Sequence, residues 1–192
     1  GNLAEAVGVS HTNPILFYVP KQKTLMDFNA EYGDELYMIE ERPMEEFKGY
    51  ESFGSPGNIV STDDVLANLI KDEKYEIDEA SYIRARLFDM LIGDWDRHSD
   101  QWRWGEFRKN EKVIYKPIPR DRDQAFPKYG GVALTIVLTA PELRHMQEFA
   151  SDIRNVKWFN MEPYPMDLKF LKTADAKVWK EQADFIMQNL TD

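Results

Sequence analysis

Two short segments of this chain concentrate acidic, basic and aromatic side chains. The first knot, residues 91–104, reads LIGDWDRHSDQWRW and holds three aspartates, two arginines, one histidine and three tryptophans. The second knot, residues 119–126, reads PRDRDQAF. If the chain between them folds back as a hairpin, their carboxylates lie in one cleft and repel one another unless a cation or an arginine compensates. Oxygen ligands of this kind suit Mg²⁺ or Mn²⁺ better than zinc.

The arginines and tryptophans of the knots also allow a purely structural interpretation. The guanidinium groups can neutralise the aspartates in a network of salt bridges, and the indole rings can pack in the core instead of stacking on a nucleobase or sugar. Spacing alone leaves both interpretations open. The residues concerned are Arg97, Arg103, Arg120 and Arg122, with Trp95, Trp102 and Trp104.

The elements that must position the knots follow from periodicity and capping. We predict a helix over residues 79–92, because apolar residues recur there at helical spacing and Asp78 can cap the first turn. Gly93 ends that helix, so a loop follows. Residues 103–108 and 112–119 then predict a hairpin whose second strand leads into the second knot. The apolar stripe of the helix, expected in the core, consists of Ile83, Leu87, Met90 and Leu91.

The rest of the chain carries weaker signals. Apolar runs predict strands at residues 15–20 and 35–41, and Ser61 begins a helix that is expected to reach Lys71. Residues 49–58 carry three glycines and a proline, so they predict a loop.

We place an internal boundary at that loop, between a segment 1–48 and a segment 49–192 of one compact unit. Residues after 126 look irregular up to about 165, apart from a helix predicted near 141–150. A last helix is expected to begin at Thr173 and to run toward Leu190.

Composition excludes several classes of function. A net charge of −10 and a sequence pI near 4.9 disfavour nonspecific binding to nucleic acid or to anionic lipid. The chain has no cysteine, so disulfides and thiolate chemistry are excluded. It has no apolar run long enough to cross a membrane and no signal peptide at its start. Because it begins and ends without clear terminal signals, we expect it to be a piece of a longer protein.

The two knots together resemble the protein-kinase-like superfamily, in particular phosphoinositide kinases, HipA-type kinases, CotH kinases and secreted casein-kinase-like enzymes. Residues 96–101, DRHSDQ, resemble their D-R-H-x-x-N catalytic loop. The resemblance implies that Asp96 accepts or orients the substrate hydroxyl and that His98 shapes the loop. It makes residues 121–126 similar to the metal-binding D-F-G-type segment, and either Asp121 or Asp123 the main ligand.

The resemblance covers roughly residues 35–126 and has departures. Gln101 stands where the family's metal-binding residue is usually Asn, so the amide oxygen is kept on a longer arm. A glycine-rich phosphate loop and a strand-borne lysine are not found before residue 35. The only early lysines, Lys21 and Lys23, are predicted to lie in a solvated loop.

A narrower resemblance points to large envelope proteins of Bacteroidetes-type bacteria. It is carried by HTNP at 11–14, YVPKQ at 18–22, EERP at 40–43, LFDMLIGDWDRH at 87–98 and PIPRDRDQAF at 117–126. In those proteins the kinase-like region accompanies a calcineurin-like metallophosphoesterase and an outer-membrane barrel. This resemblance implies covalently linked neighbouring domains and a periplasmic or envelope location, with the cytoplasm as the alternative.

We therefore expect an α+β fold, a mainly helical kinase-like large lobe preceded by a few small-lobe strands. The expected function is an ATP- and Mg²⁺- or Mn²⁺-dependent phosphotransferase module, active or degenerate, with an unknown acceptor. Asp96 and His98 are the catalytic candidates, and Gln101, Asp121 and Asp123 are the metal-binding candidates. The alternatives are a noncatalytic kinase-like scaffold domain and a metal-dependent phosphate-ester hydrolase. His11 and His145 are predicted to be surface or capping residues, and Ser99 lacks the sequence context of a hydrolase nucleophile.

Overall fold

A computed structural model describes residues 1–44, 51–130 and 140–190, and in these ranges it has seven α-helices and six strands. The α+β class is therefore confirmed. The helices are α1 (Asn2–Ala6), α2 (Asn29–Tyr32), α3 (Thr62–Lys71), α4 (Glu79–Ile92), α5 (Val156–Phe159), α6 (Tyr164–Phe170) and α7 (Ala176–Asn189). The strands are β1 (Ile15–Val19), β2 (Glu35–Ile39), β3 (Asn58–Val60), β4 (Tyr75–Ile77), β5 (Trp102–Lys109) and β6 (Lys112–Pro119).

The chain divides into two compact units, a small one spanning residues 12–42 and a larger one made of residues 2–11 and 43–192. The expected boundary at 48/49 falls in residues 45–50, outside the described part. Of the predicted loop at 49–58, the described residues begin with a short 3₁₀ turn at Glu51–Phe53.

The small unit is built on an antiparallel pair of strands. β1 and β2 pair with Phe17 opposite Tyr37, which confirms both predicted strands. A 3₁₀ segment and α2 connect them, and Lys21 forms an exposed ion pair of 3.3 Å with Asp34. Lys21 is thus solvated, as expected. Both faces of this ribbon carry exposed apolar side chains, Leu16 and Met38 on one face and Ile15 and Ile39 on the other.

The larger unit contains a four-stranded mixed sheet in the order β3-β5-β6-β4. β5 and β6 form the predicted hairpin, and β3 extends the sheet as an antiparallel neighbour of β5. β4 pairs parallel to β6 at the opposite edge. The last residue of β6, Pro119, leads directly into the second knot, as the sequence predicted.

Helix α4 carries the first knot on its C-terminal end. The Asp78 side chain caps it by accepting from Ser81 N–H at 2.9 Å, and Gly93 ends it in the left-handed conformation with φ of 73°. A side chain at Gly93 would also meet Phe149, whose Cδ2 lies 3.0 Å from an ideal Cβ. Both predicted ends are confirmed.

The buried face of α4 is broader than the predicted stripe. Ile83 is fully buried and Leu87 is partly buried, but Leu91 is about half exposed, so its assignment to the core is wrong. The helix contacts both the sheet and α7, so residues outside the predicted stripe are buried as well. The buried residues are Tyr82, Ile83, Ala85, Arg86, Phe88, Asp89 and Ile92.

The remaining predicted helices are confirmed in part. Ser61 caps α3 in a reciprocal capping box with Asp64, as expected. The last helix, α7, is capped by Asp175 and not by Thr173, whose hydroxyl donates to Glu79 instead. Near 141–150 the described residues contain only a 3₁₀ turn at Pro141–Leu143, so the predicted helix is wrong. The Phe149 N–H donates to Pro127 O at 2.8 Å, a contact with another segment in place of a helical bond within its own.

The core of the larger unit is aromatic. Tyr82 of α4 lies against Trp102 and Trp104 of β5, with ring centroids 5.2 and 5.6 Å apart. Phe170 of α6 packs edge-on against Trp104 at 4.8 Å. Trp104 donates its indole N–H to the Thr62 hydroxyl at 3.0 Å, so the polar edge of the ring is satisfied inside the core. For Trp102 and Trp104 the packing interpretation is therefore confirmed.

Candidate functional site

The two knots lie against each other at the end of the β5–β6 hairpin. The guanidinium of Arg97 donates to the backbone carbonyls of Arg120 at 2.7 Å and Gln101 at 2.9 Å. The Arg120 N–H in turn donates to Gln101 O at 2.8 Å. Arg97 is fully buried, so these bonds form away from competing water. The predicted meeting of the knots is confirmed.

A second attachment holds the far end of the second knot. The Phe126 N–H donates to Ile92 O at the end of α4 at 2.7 Å. Phe126 and Asp121 both adopt left-handed backbone conformations, with φ of 56° and 49°. Such conformations are uncommon for residues other than glycine, so the second knot is bent at both ends.

Beneath the knots lies a buried ionic cluster that the sequence analysis did not foresee. Asp89 of α4 is fully buried and contacts three arginines. It lies 3.0 Å from Arg122 Nη2, 3.4 Å from Arg97 Nε and 3.4 Å from Arg86 Nη1. A single carboxylate in the helix thus joins the first knot, the second knot and α4 itself.

Arg86 extends this cluster to the C-terminal helices. Its Nε lies 3.2 Å from Asp167 Oδ1, and its Nη2 donates to the side-chain oxygen of Asn160. Burial alone lowers the pKa of Arg86, but the Asp167 and Asp89 carboxylates outweigh it, so the net pKa is raised. Tyr82 donates to the same Asp167 at 2.6 Å, and burial raises the pKa of Tyr82 well above its usual value.

Asp94, the first acid of the first knot, is the least satisfied member of the cluster. Its side chain is fully buried, and its Oδ2 lies 3.4 Å from Arg97 Nη1. Its Oδ1 has no hydrogen-bond partner among the described residues. Burial raises the pKa of Asp94 to about 7, although Arg97 opposes this rise. For Arg122, burial lowers the pKa and the Asp89 carboxylate opposes that change.

The predicted site residues lie outside this buried layer. Asp96 is partly exposed, and its Oδ1 lies 3.8 Å from His98 Nε2. His98 also accepts the Asp100 N–H on Nδ1 at 3.3 Å, which orients the ring at the start of a short turn. His98 therefore caps the turn that begins at Ser99.

The two candidate metal-binding aspartates are exposed on the second knot. Asp123 accepts a hydrogen bond from the neighbouring Gln124 side chain at 3.1 Å. In the described ranges, none of Asp96, Asp121 and Asp123 is ion-paired with an arginine. Arg103 donates to two backbone carbonyls and not to an acid. The predicted network of arginine salt bridges therefore exists. Among the described residues it neutralises the buried Asp89 and Asp94 and does not include the candidate site aspartates.

A complete metal cage is not preformed in the part of the chain that the structure describes. No group of three or more histidine or acidic side chains there can hold an ion. Gln101 is buried, and its described contacts use the backbone. Of the three candidate metal-binding residues, Asp121 and Asp123 have exposed carboxylates. One or two carboxylates with phosphate and water oxygens are a common Mg²⁺ environment, so this donor set fits an ion that arrives with a phosphate ligand.

Sequence reasoning missed a group of residues around Trp95. Trp95 is buried and donates its indole N–H to the Tyr129 hydroxyl at 2.8 Å. The His145 ring contacts it at a centroid distance of 4.9 Å, so His145 is a packing residue of the first knot and its assignment to the surface is wrong. Burial raises the pKa of Tyr129, and the nearby Asp96 carboxylate adds to that rise.

Comparisons with protein-family models, with curated proteins and with solved structures find no match for this chain. The described helices include none that combines the length and apolar character needed to cross a membrane.

Proposed function

We propose that this chain is a kinase-like phosphotransferase module that uses ATP and a divalent cation. One observation carries the proposal: Arg97 ties the backbone of the second knot to the first, next to Asp96. A base on one turn and metal-binding carboxylates on the other are what such a site must hold in register. The D-R-H resemblance supports the same assignment of roles.

In this proposal Asp96 accepts the proton of the acceptor hydroxyl. It is partly exposed, so a substrate can reach it, and His98 lies close enough to restrict its orientation. Asp121 and Asp123 would hold Mg²⁺ or Mn²⁺, which supplies charge neutralisation for the transferring phosphoryl group. Gln101 contributes chiefly through its backbone carbonyl, which accepts from both Arg97 and Arg120.

The direct test is calorimetry with Mn²⁺ and ATP on this chain and on a longer one. We expect binding heat only when both are present, since the two carboxylates need phosphate oxygens to complete the ion's shell. The double variant Asp121→Asn, Asp123→Asn should lose that heat. Asp96→Asn should keep binding but lose transfer of labelled phosphate, because it removes the base and leaves the metal ligands.

Asp100→Asn is the matched control, since it makes the same change at an exposed position of the same loop. It should behave like the wild-type chain. Absence of heat with ATP and metal in both lengths of chain would overturn the proposal. Release of inorganic phosphate with no acceptor present would favour the phosphate-ester hydrolase instead.

A noncatalytic scaffold is the second candidate, and the buried ionic cluster favours it. Arg97 and Arg122 are engaged with Asp89 in the interior, a role that a structural domain needs without any chemistry. A scaffold of this type would serve within a longer envelope protein, as the narrower resemblance implies. It predicts no nucleotide binding and unchanged stability in all of the Asp96, Asp121 and Asp123 variants.

A further inference from the structure

Asp94 enters the interior because of how α4 ends. Gly93 adopts the left-handed conformation, and the Asp94 N–H then donates to Asp89 O at 2.9 Å. This backbone bond fixes the first residue of the loop against the last turn of the helix and directs its side chain inward. The carboxyl group is therefore buried by the fold itself, in the layer between α4 and the two knots.

The groups that face the Asp94 carboxyl do not compensate a negative charge well. Arg97 of the same loop is the nearest cation, but its Nη1 also donates to Arg120 O at 2.7 Å. Arg122 of the second knot stabilises the Asp94 charge less than Arg97 does, and it pairs with Asp89. Asp89 on α4 repels the charge, and the Asp96 N–H is the remaining donor.

Asp89 provides the internal comparison. It has three arginine contacts, whereas Asp94 has one at 3.4 Å and one oxygen without a partner in the described ranges. A buried carboxylate that lacks partners is strongly disfavoured relative to the same group in water. The neutral acid does not need such partners. Ionisation of Asp94 therefore opposes the closed contact between the two knots, which we call the junction.

We propose that Asp94 makes the junction of the two knots sensitive to pH: the protonated acid keeps the junction closed, and ionisation favours an open form in which Asp94 reaches water. The proposed opening depends only on the burial and the few partners of Asp94. That it would regulate phosphotransfer rests on the proposed function, because opening separates Asp96 from Asp121 and Asp123.

The sign of the effect follows from the two states of the same group. In the closed form the pKa of Asp94 is raised to about 7, chiefly by burial, whereas in water an aspartate titrates near 3.9. Between these values the open form binds fewer protons, so rising pH favours it by roughly tenfold per pH unit. The stability of the closed form falls from about pH 4 to about pH 7 and is constant above.

Hydrogen exchange of two backbone amides tests this. Arg120 N–H and Phe126 N–H, which donate to Gln101 O and Ile92 O, report on the junction. After correction for intrinsic exchange rates, we expect their protection to fall between about pH 5 and pH 7 in the wild-type chain. In Asp94→Asn, which cannot ionise, protection should be independent of pH and at least about tenfold higher above neutrality. Asp100→Asn is the control and should follow the wild-type profile.

The same pH profile in the wild-type chain and in Asp94→Asn would overturn the proposal. If Asp94→Asn does not fold, the carbon-13 shift of the Asp94 carboxyl and the exchange of the two amides in the wild-type chain decide together: a midpoint above pH 4 that coincides with a fall in protection supports the proposal, and a midpoint near pH 4 or unchanged protection overturns it. Neither measurement uses nucleotide. Failure to bind ATP with Mn²⁺ at every pH would therefore count against the proposed function alone, and the exchange data would still judge Asp94.

Discussion

The acids of the junction form an inner and an outer layer that differ in what surrounds them. Asp89 in the inner layer is fully buried and contacts three arginines, whereas the Asp96 side chain in the outer layer is 27% exposed and lies near a histidine. Asp121 and Asp123 are exposed as well. The arginines of the two knots therefore serve the fold first, and by doing so they leave the outer carboxylates available for a ligand.

The largest effect should come from removing the inner acid. Asp89→Asn keeps the shape of the side chain but leaves the charges of Arg86, Arg97 and Arg122 with one fewer counterion. Breaking a buried ion pair by removing one partner costs about 3 to 5 kcal/mol. Urea denaturation followed by circular dichroism measures the loss. Asp123→Asn is the outer control, and equal losses in the two variants would end the distinction between the layers.

An intermediate effect should come from changing the shape of the central cation without its charge. Arg97→Lys keeps a positive group near Asp89 but cannot donate to Arg120 O and Gln101 O together, because lysine lacks the planar fork. We expect a loss of about 1 to 3 kcal/mol in the free energy of unfolding. Arg103→Lys is matched to it, since Arg103 also donates to two backbone carbonyls but is less buried. A loss in Arg103→Lys as large as in Arg97→Lys would mean that the fork is not what matters.

The smallest effect on stability should come from the outer acids themselves. Asp96→Asn, Asp121→Asn and Asp123→Asn remove charges that are not paired with an arginine in the described ranges. We expect melting temperatures close to that of the wild-type chain, since exposed substitutions away from packed or capped positions change stability little. Differential scanning calorimetry measures this. A marked loss in any one of them would place that acid in the structural layer.

The features that the sequence predicted are those with local signals. Asp78 and Gly93 bracket α4 because a capping carboxylate and a left-handed glycine act within one turn of the chain. The β5–β6 hairpin and the meeting of the knots follow in the same way, since a short connection forces neighbouring strands together.

The features that it missed depend on contacts between distant segments. Leu91 has the spacing of a core residue but is about half exposed, because which face of a helix is buried depends on what packs against it. Asp89 and Arg86 of the same helix are fully buried, although no local feature of the sequence marks them as core residues. Their three-residue spacing is compatible with a salt bridge between them. Their other partners, Asp167 for Arg86 and Arg122 for Asp89, lie far along the chain and have no local signal. Thr173 was predicted to cap α7, but its hydroxyl donates to Glu79, which lies far along the chain, and Asp175 caps the helix.

The parallel pairing of β4 with β6 bears on the order in which this unit assembles. β5 and β6 are joined by a tight turn, so they can pair through local contacts. β4 precedes α4, and its partner β6 is separated from it by α4, the first knot and β5. Contacts between segments distant along the chain form slowly because the intervening loop must first be closed. We therefore expect the hairpin to form first, and α4 and β4 to pack against it in a later step that buries the ionic cluster.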